Sequence, residues 1–500
     1  MELVFSWKLE IEFKRRDAMN KYMKKKWLII LGLVFLGGIG FIISPELIRA
    51  DPGNMNQAEF VAYLDEEIIR LQNKYQIPGL SLNLIKGGEV VKAQAYGYSD
   101  LSEKRTLTLD TTFRVQSISK SLTAWGIMNL VEEGLLHLDR PFVSYLNSWE
   151  IPTTKYPLEE VTVRQLLSMT GGLQLGTIGV RYSPEEELPS LKRSLSQEVV
   201  MRQPPGQNFY YSNVSFNLLE LLVEEVTGDS FASYMQREIF QPLGMDNSTF
   251  VWSRDITPPV STGYDLQGKS VPVYIYPEKA SGGLFSTGED ITTFLSYGMV
   301  ELYAKEQSIL SRESIEEMHQ SATSVPGFYG LAFEAYGFGH YLENLPGGLK
   351  AVSHGGQGYG VMTHYHLLPE TGDAIIILTN SQRSWPAIAQ LLRIWTEWLG
   401  VGSVGMSRII TGGFALKIII WLVFLIALAR LGALAIALKR GEYRLIFNWY
   451  SNLRRFFAII IFTGLFLAAR QDYLFLTSVF PLLSVWLGYA LAGLGVVLLF

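Results

Sequence analysis

The chain has 500 residues, of which 48% are hydrophobic and only 18% are charged, so it should contain more than one domain and a membrane-embedded part. Its net charge of -5 comes from 42 basic and 47 acidic residues, and the basic residues form no long patch, which argues against nucleic-acid binding. The sequence contains no Cys, which excludes disulfides, thiolate metal sites and a Cys nucleophile.

A basic stretch followed by an apolar stretch lies near the N-terminus. Three Lys residues come directly before an uncharged run from Trp27 to Ile43. This order is typical of a signal peptide or of a single membrane anchor. We therefore assign residues 1–50 to a cytoplasmic basic segment followed by a signal peptide or an anchor helix.

Residues 51–400 have the composition of a globular domain. Apolar residues repeat at helical spacing from Phe60 to Leu71, which predicts an opening helix. Strand-like runs flank a turn at Gly87-Gly88, three more follow toward the end of the domain, and a last helix closes it. The sequence pattern of residues 135–280, with its Pro-Gly breaks, predicts helices and loops. This order predicts an α+β sandwich, in which an antiparallel sheet is flanked by the terminal helices and carries a helical insert domain.

The stretch VQSISKSLTA places Ser117 three residues before Lys120, at the predicted start of a helix. Residues with this spacing share one face of a helix, so the hydroxyl and the amine would lie within reach of each other. A Ser hydroxyl is a poor nucleophile unless a neighbour takes its proton, and burial can lower the pKa of a Lys enough for that role. The pair predicts a nucleophile and its base. The alternative is two polar residues on a solvated helix face.

Two further motifs favour the catalytic interpretation. Tyr211-Ser212-Asn213 follows a Pro-Gly turn and precedes a predicted helix, and His354-Gly355-Gly356 lies at the end of a predicted strand. Together with the stretches VRQLLSMTGGL and ASGGLFSTGEDITTF, these motifs follow one another in an order that is typical of one superfamily of serine enzymes. From about residue 55 to about residue 400 the chain resembles the serine β-lactamase and penicillin-binding-protein superfamily, in the branch of the class C β-lactamases.

The resemblance implies roles for five residues. Ser117 would be the acylated nucleophile, and Lys120 and Tyr211 would share the general-base work. Asn213 would bind the substrate amide or orient Lys120. The backbone N–H groups of Ser117 and Gln357 would form the oxyanion hole.

The third motif departs from the family pattern, because His354 stands where Lys is frequent. A neutral His is a weaker carboxylate anchor than Lys, which puts recognition of a C-terminal D-Ala carboxylate in doubt. Gly355 and Gly356 would let the substrate lie against the edge strand. The resemblance implies no cofactor and no metal. His364 and His366 share a strand face without further clustered ligands, so we interpret them as part of a polar sheet face.

Residues 401–500 predict a transmembrane module of about three helices. Ile418 to Leu438 contains one charge, residues 456–469 begin a second apolar run, and residues 473–500 form a third run without any charge. The basic residues between the first two runs predict a cytoplasmic loop. They are Lys439, Arg440, Arg444, Arg454 and Arg455. The N-terminal Lys run should be cytoplasmic as well, which places the globular domain outside the cell.

Three functions are compatible with these features. The first is a membrane-anchored extracytoplasmic serine hydrolase that acts on peptide, amide or ester bonds of the cell envelope, as a D-Ala carboxypeptidase or an esterase would. The second is a β-lactamase, and the third is a non-catalytic penicillin-binding or sensor protein. The joint presence of Ser117, Lys120 and Tyr211 argues against the third. The expected partners are a small acyl, peptide or ester substrate and membrane lipid, but not nucleic acid.

Overall fold

The computed structural model describes most of the chain after residue 50. The described residues are 51–176, 180–299, 308–327, 329–441, 448–470 and 475–500. The predicted signal peptide or anchor lies outside them. The chain divides into two compact units, of which the first comprises residues 51–411 together with 470–484. The described part of the second comprises residues 412–441, 448–469 and 485–500.

A nine-stranded sheet forms the centre of the first unit. The strands of the unit are β1 (Gly79–Lys86), β2 (Glu89–Asp100), β3 (Arg105–Thr106), β4 (Phe113–Arg114), β5 (Gly263–Tyr264), β6 (Ser270–Val271), β7 (Phe285–Ser286), β8 (Thr323–Ser324), β9 (Ala335–Tyr336), β10 (Tyr341–Asn344), β11 (Lys350–Gly358), β12 (Val361–Leu368) and β13 (Asp373–Thr379). The nine strands pair antiparallel in the order β3-β2-β1-β13-β12-β11-β10-β9-β8, and β4–β7 and β5–β6 form two small separate sheets. Because β1 pairs with β13, both ends of the domain meet at the middle of the large sheet.

Helices cover both faces of this sheet. The helices of the first unit are α1 (Gln57–Tyr75), α2 (Ser119–Glu132), α3 (Val163–Leu167), α4 (Leu191–Glu198), α5 (Asn213–Thr227), α6 (Phe231–Met235), α7 (Gln241–Leu243), α8 (Gly288–Tyr297), α9 (Arg312–Met318) and α10 (Trp385–Leu399). The terminal helices α1 and α10 pack on one face, where Phe60 and Trp395 are fully buried with alternate residues of β1. The α+β sandwich predicted from the sequence is confirmed.

The helix α2 lies on the other face of the sheet, in the larger of the two hydrophobic cores. Almost all of its side chains are buried, including the polar residues Ser119, Lys120, Ser121 and Thr123, so the helix is buried on every side rather than on one face. Its neighbours therefore include both the sheet and the helical insert. Tyr234 of the insert donates a hydrogen bond to the carbonyl of Gly126, in the middle of α2. The helix α2 is thus packed between the sheet and the insert.

Within the described residues, three helices are long and apolar enough to cross a membrane. They include α11 (Arg408–Lys439), α12 (Trp449–Ala469) and α14 (Pro481–Leu499). The short helix α13 (Phe475–Val479) precedes the last of them. The third apolar run predicted from the sequence began at residue 473, but the long helix begins only at Pro481. Val479 is instead buried in the first unit, among residues that include Trp385 and Trp395.

The first unit also continues past residue 400. Val404 and Met406, on either side of a short 3-10 helix at Gly405–Ser407, are buried in the same core as α1 and α10. The N–H of Gly405 donates to the carboxylate of Glu343 on β10. The segment that leads into α11 is therefore packed on the sheet rather than extended as a linker.

Candidate active site

Ser117 lies in a 3-10 turn, Gln116–Ile118, directly before α2. Gln116 adopts a left-handed backbone conformation with φ 55°, which is uncommon for a residue other than Gly. Its buried carboxamide is held by the hydroxyls of Tyr274 at 3.2 Å and Tyr276 at 3.3 Å. These two hydrogen bonds fix the conformation of the turn. The side chain of Ser117, the next residue, is partly exposed.

Lys120 is fully buried on the first turn of α2. Its Nζ lies 2.8 Å from Asn213 Oδ1, 2.6 Å from the carbonyl oxygen of Ser281 and 3.2 Å from Ser117 Oγ. Burial holds the pKa of Lys120 well below its ordinary value, and no carboxylate in the described chain forms an ion pair with it. A neutral amine has two hydrogens and one lone pair. When the amine is neutral, Asn213 and Ser281 can accept both of its hydrogens, which leaves the lone pair for the hydroxyl proton of Ser117.

Two features of the fold position the acceptors Asn213 and Ser281: a helix cap at Ser212 and the buried carboxylate of Glu220. Ser212 caps α5 by accepting the N–H of Ser215 at 3.0 Å, which makes Asn213 the first residue of that helix. Glu220, farther along α5, accepts the N–H of Ala280 at 2.8 Å, and burial raises the pKa of Glu220 to about 7. Its bonds hold the segment next to Ser281 against α5. Neither Ser281 nor Glu220 was predicted from the sequence. Ser281 acts through its backbone carbonyl, which has no side-chain signature, and Glu220 bonds to a backbone N–H 60 residues away.

Tyr211 is the third residue at the nucleophile, and its hydroxyl is hydrogen-bonded to Ser117. Burial raises the pKa of Tyr211, and the bond to Ser117 opposes this only in part. The phenol therefore stays protonated at neutral pH. Its ring stacks with Tyr329 at 5.4 Å and with Tyr341 at 6.4 Å between ring centres. With these shifts, Lys120 can accept a proton while Tyr211 can pass one on.

His354 is buried beside these rings rather than exposed in the cleft. Its Nδ1 lies 2.9 Å from the carbonyl oxygen of Gly355, so Nδ1 carries the proton, and Nε2 lies 3.4 Å from the Tyr336 hydroxyl. Burial, with a smaller effect of Lys120, lowers the pKa of His354 to about 3. The imidazole is therefore neutral and supplies no positive charge for a substrate carboxylate.

Packing inside the protein also requires glycine at positions 355 and 356. A Cβ at Gly355 would lie 2.7 Å from the ring of Trp385, and a Cβ at Gly356 would lie 2.1 Å from both the Val115 carbonyl and Thr363 Oγ1. The protein's own packing excludes side chains at both positions, before any substrate is considered. The close approach brings β11 against the turn that carries Ser117.

The structure thus brings the predicted residues together at one place. Ser117, Lys120, Tyr211 and Asn213 are joined by hydrogen bonds, and the ring centre of His354 lies 6.4 Å from that of Tyr211. Gln357 follows on β11, between two glycines that both approach Gln116. The roles of these residues remain predictions.

The two histidines on β12 lie on the opposite face of the sheet from the nucleophile. His364 Nε2 and His366 Nδ1 are 3.3 Å apart, and both rings are fully buried against Trp385 and Trp395 respectively. No group of three or more His, Cys, Asp or Glu residues in the described chain could hold a metal ion. The pair belongs to a buried polar patch under α10.

The family model "Beta-lactamase" matches residues 64–395, about two thirds of the chain. The chain belongs to the β-lactamase family. It is a serine hydrolase of the β-lactamase and penicillin-binding-protein type. The matched residues include all three motifs and the strands from both ends of the domain, β1 and β13 among them. They end before Val404 and before the three apolar helices.

Individual relatives of this β-lactamase-family chain are distant in sequence. Protein flp of Staphylococcus aureus (strain N315) is 24% identical over 376 residues, which cover 70% of this chain and 73% of flp. Penicillin-binding protein 4* of Bacillus subtilis (strain 168) is 27% identical over 333 residues, 62% of this chain and 70% of the relative. The octameric penicillin-binding protein homologue from Pyrococcus abyssi is similar in structure, with a TM-score of 0.58 at 30% identity, over 68% of this chain and 78% of that one.

Proposed function

We propose that this protein is a membrane-anchored, extracytoplasmic serine hydrolase that cleaves ester, amide or peptide bonds of the cell envelope through an acyl-enzyme. The hydrogen bonds of Lys120 carry the proposal. Its two N–H groups have acceptors in Asn213 and Ser281, and its lone pair is left for Ser117 at 3.2 Å. A buried, neutral amine in contact with a hydroxyl is the arrangement that activates a nucleophile.

The reaction would run in two halves. Ser117 gives its proton to Lys120, its Oγ bonds to the acyl carbon, and the carbonyl oxygen gains negative charge. The N–H groups of Ser117 and Gln357 would stabilise that charge. The bond to the leaving group then breaks, and the leaving group takes the proton from Lys120 through the Tyr211 hydroxyl. A water molecule releases the acyl group by the same steps in the opposite direction.

The neutral imidazole of His354 gives no advantage to substrates that carry a carboxylate next to the scissile bond. A cation that bonds to a substrate carboxylate contributes about 1.5–3 kcal/mol, or roughly 10- to 100-fold in kcat/KM. His354 supplies no such charge, because its pKa is lowered to about 3. We therefore propose an esterase-like or amidase-like preference rather than a strict D-Ala carboxypeptidase or a β-lactamase.

A matched pair of substrates tests this proposal. The full-length protein in detergent is given a short peptide ester with a free carboxylate and its twin in which that carboxylate is an amide. We expect both to be hydrolysed, with values of kcat/KM that differ by less than about 10-fold, because residue 354 supplies no cation that would favour the first. A preference of more than about 100-fold for the carboxylate twin would contradict the proposed substrate class.

A fluorescent penicillin in the same assay separates the alternatives. Lasting or slowly released label on the chain is expected of an acylated hydrolase, whereas rapid turnover of the penicillin would favour the β-lactamase. A wild-type protein that neither takes label nor cleaves any substrate would instead support the non-catalytic binding protein.

The proposed location rests on charge and on the partition of the chain. The basic residues between the first two apolar runs favour a cytoplasmic loop, which places residues 51–411 outside. Residues 470–484 belong to the same compact unit as residues 51–411, although α11 and α12 lie between them in sequence. Two membrane crossings return the chain to its starting side, so this partition supports the same topology.

Reporter fusions test the topology. A reporter of the cytoplasm fused after Gly441 should be active, because the chain there should be inside the cell. The same reporter fused after Gly400 should be inactive, since that position belongs to the extracytoplasmic unit. Activity of both fusions, or of neither, would show that α11 does not cross the membrane.

A further inference from the structure

The back of the third-motif strand is braced by Trp385, the first residue of α10. On β11, His354 and Gly356 face the nucleophile, so Gly355 and Gln357 face the opposite way. The ring of Trp385 fills the space where Gly355 would carry a Cβ, and Trp385 Nε1 donates to Gln357 Oε1 at 2.9 Å. The carboxamide of Gln357 therefore points away from the site, while its backbone runs beside Gln116 and Ser117.

A second brace comes from α13, far away in sequence. Gln357 Nε2 donates to Ser478 Oγ at 3.3 Å, and Ser478 is fully buried. Both ends of the planar carboxamide are thus bonded, one to Trp385 and one to Ser478. Two bonds fix the orientation of a planar group that a single bond would leave free to turn.

Apolar packing holds α13 at this place. Val479 is only 4% exposed and lies in the core formed by α1, α10 and the sheet, and Phe480 packs against the same core. The match to the β-lactamase family ends at residue 395, so this brace lies outside the matched region. It comes from the segment that joins α12 to α14, the second and third apolar helices.

We propose that α13 is an intramolecular brace for the oxyanion hole, with Ser478 as its positioning residue. Ser478 and Trp385 hold the side chain of Gln357, and this fixes the direction in which the Gln357 N–H points. The inference rests on the proposed function, since it takes that N–H as the donor to the acyl oxygen. The loop between two membrane helices then belongs to the catalytic apparatus and does more than tether it.

This role predicts which kinetic constant changes. An oxyanion donor bonds more strongly to the transition state than to the bound substrate, so its misplacement lowers kcat and leaves KM nearly unchanged. The bond from Gln357 to Ser478 is neutral and long, and loss of one such bond corresponds to roughly a 3- to 10-fold effect.

The test uses the full-length protein in detergent, with a neutral ester substrate. We expect Ser478→Ala to lower kcat about 3- to 10-fold with KM within about twofold, and Ser478→Thr to restore kcat because it keeps the hydroxyl. Ser484→Ala is the matched control, since the Ser484 hydroxyl donates to the carbonyl of Pro481 within the same helix and its loss should not affect the rate. An unchanged kcat in Ser478→Ala would overturn the inference.

A double-mutant cycle with Gln357→Ala separates positioning from packing. Gln357→Ala keeps the backbone N–H but removes the carboxamide, so Ser478→Ala should have no further effect on kcat in that background. Trp385→Phe keeps an aromatic ring and loses the N–H donor to Gln357, so by itself it should lower kcat as Ser478→Ala does. If Ser478→Ala lowers kcat equally with and without the Gln357 side chain, α13 acts through packing alone and the brace is wrong. A wild-type protein without turnover would instead overturn the proposed function itself.

Discussion

Replacement of Ser117 by Ala is expected to abolish hydrolysis of every ester or amide substrate and all covalent labelling by acylating probes. The substitution removes the hydroxyl oxygen that lies 3.2 Å from Lys120 Nζ, and no acyl-enzyme can form without it. We expect kcat to fall at least about 10,000-fold, to the rate that binding and the oxyanion hole alone can support. Progress curves with a neutral ester, together with labelling by a fluorescent penicillin, measure the effect.

The matched control for this variant is Ser144→Ala. Ser144 is exposed, and its hydroxyl donates to the nearby carbonyl of Pro141 at 2.7 Å, so its loss should change neither turnover nor labelling. Turnover like that of the wild type in Ser117→Ala would mean that another residue is the nucleophile. It would also leave the contact between Ser117 and Lys120 without a catalytic meaning.

Replacement of Lys120 by Arg has the second-largest expected effect. Arg keeps a positive charge at every accessible pH and cannot take the proton of Ser117. Loss of a general base costs at least about 100-fold in the rate of acylation. Stopped-flow measurement of label incorporation gives this rate directly, without the later hydrolysis of the acyl-enzyme.

The pH profile shows whether the amine itself is the base. Burial lowers the pKa of Lys120, so in the wild type the amine is neutral above that pKa and the acylation rate should fall as the pH drops through it. The Arg variant should lack this step. If the wild-type profile has no acid limb, or if Lys120→Arg keeps that limb, the proton transfer belongs to another group.

Two further variants guard against a loss of folding. Lys120→Met has a similar length and no amine, so it should lose acylation as the Arg variant does. Lys192→Arg is the control for a Lys outside the site. Lys192 pairs with Glu225 at 2.9 Å, and because Arg can form the same ion pair, this variant should acylate at the wild-type rate. Near-normal acylation in both Lys120 variants would make that residue purely structural.

The sequence by itself determined the features that depend on neighbours along the chain. Ser117 and Lys120 meet because residues three apart share one face of a helical turn. The strand at His354 and the helix at Asn213 follow from periodicity and from a Ser that caps the helix. The order of the motifs then indicated the family. The order of the predicted helices and strands also indicated the antiparallel sheet built from both ends of the domain.

Only the tertiary structure decided the features that depend on burial and on distant backbone. The pKa values of Lys120 and His354 follow from the surfaces packed around them, and no local pattern gives that packing. The carbonyl of Ser281 has no signature in the sequence. Residues 473–480 are as apolar as a membrane span, yet Val479 packs into a protein core, because apolarity alone does not distinguish lipid from a protein interior. The brace from Ser478 to Gln357 joins positions 121 residues apart, and chain folding alone brings them together.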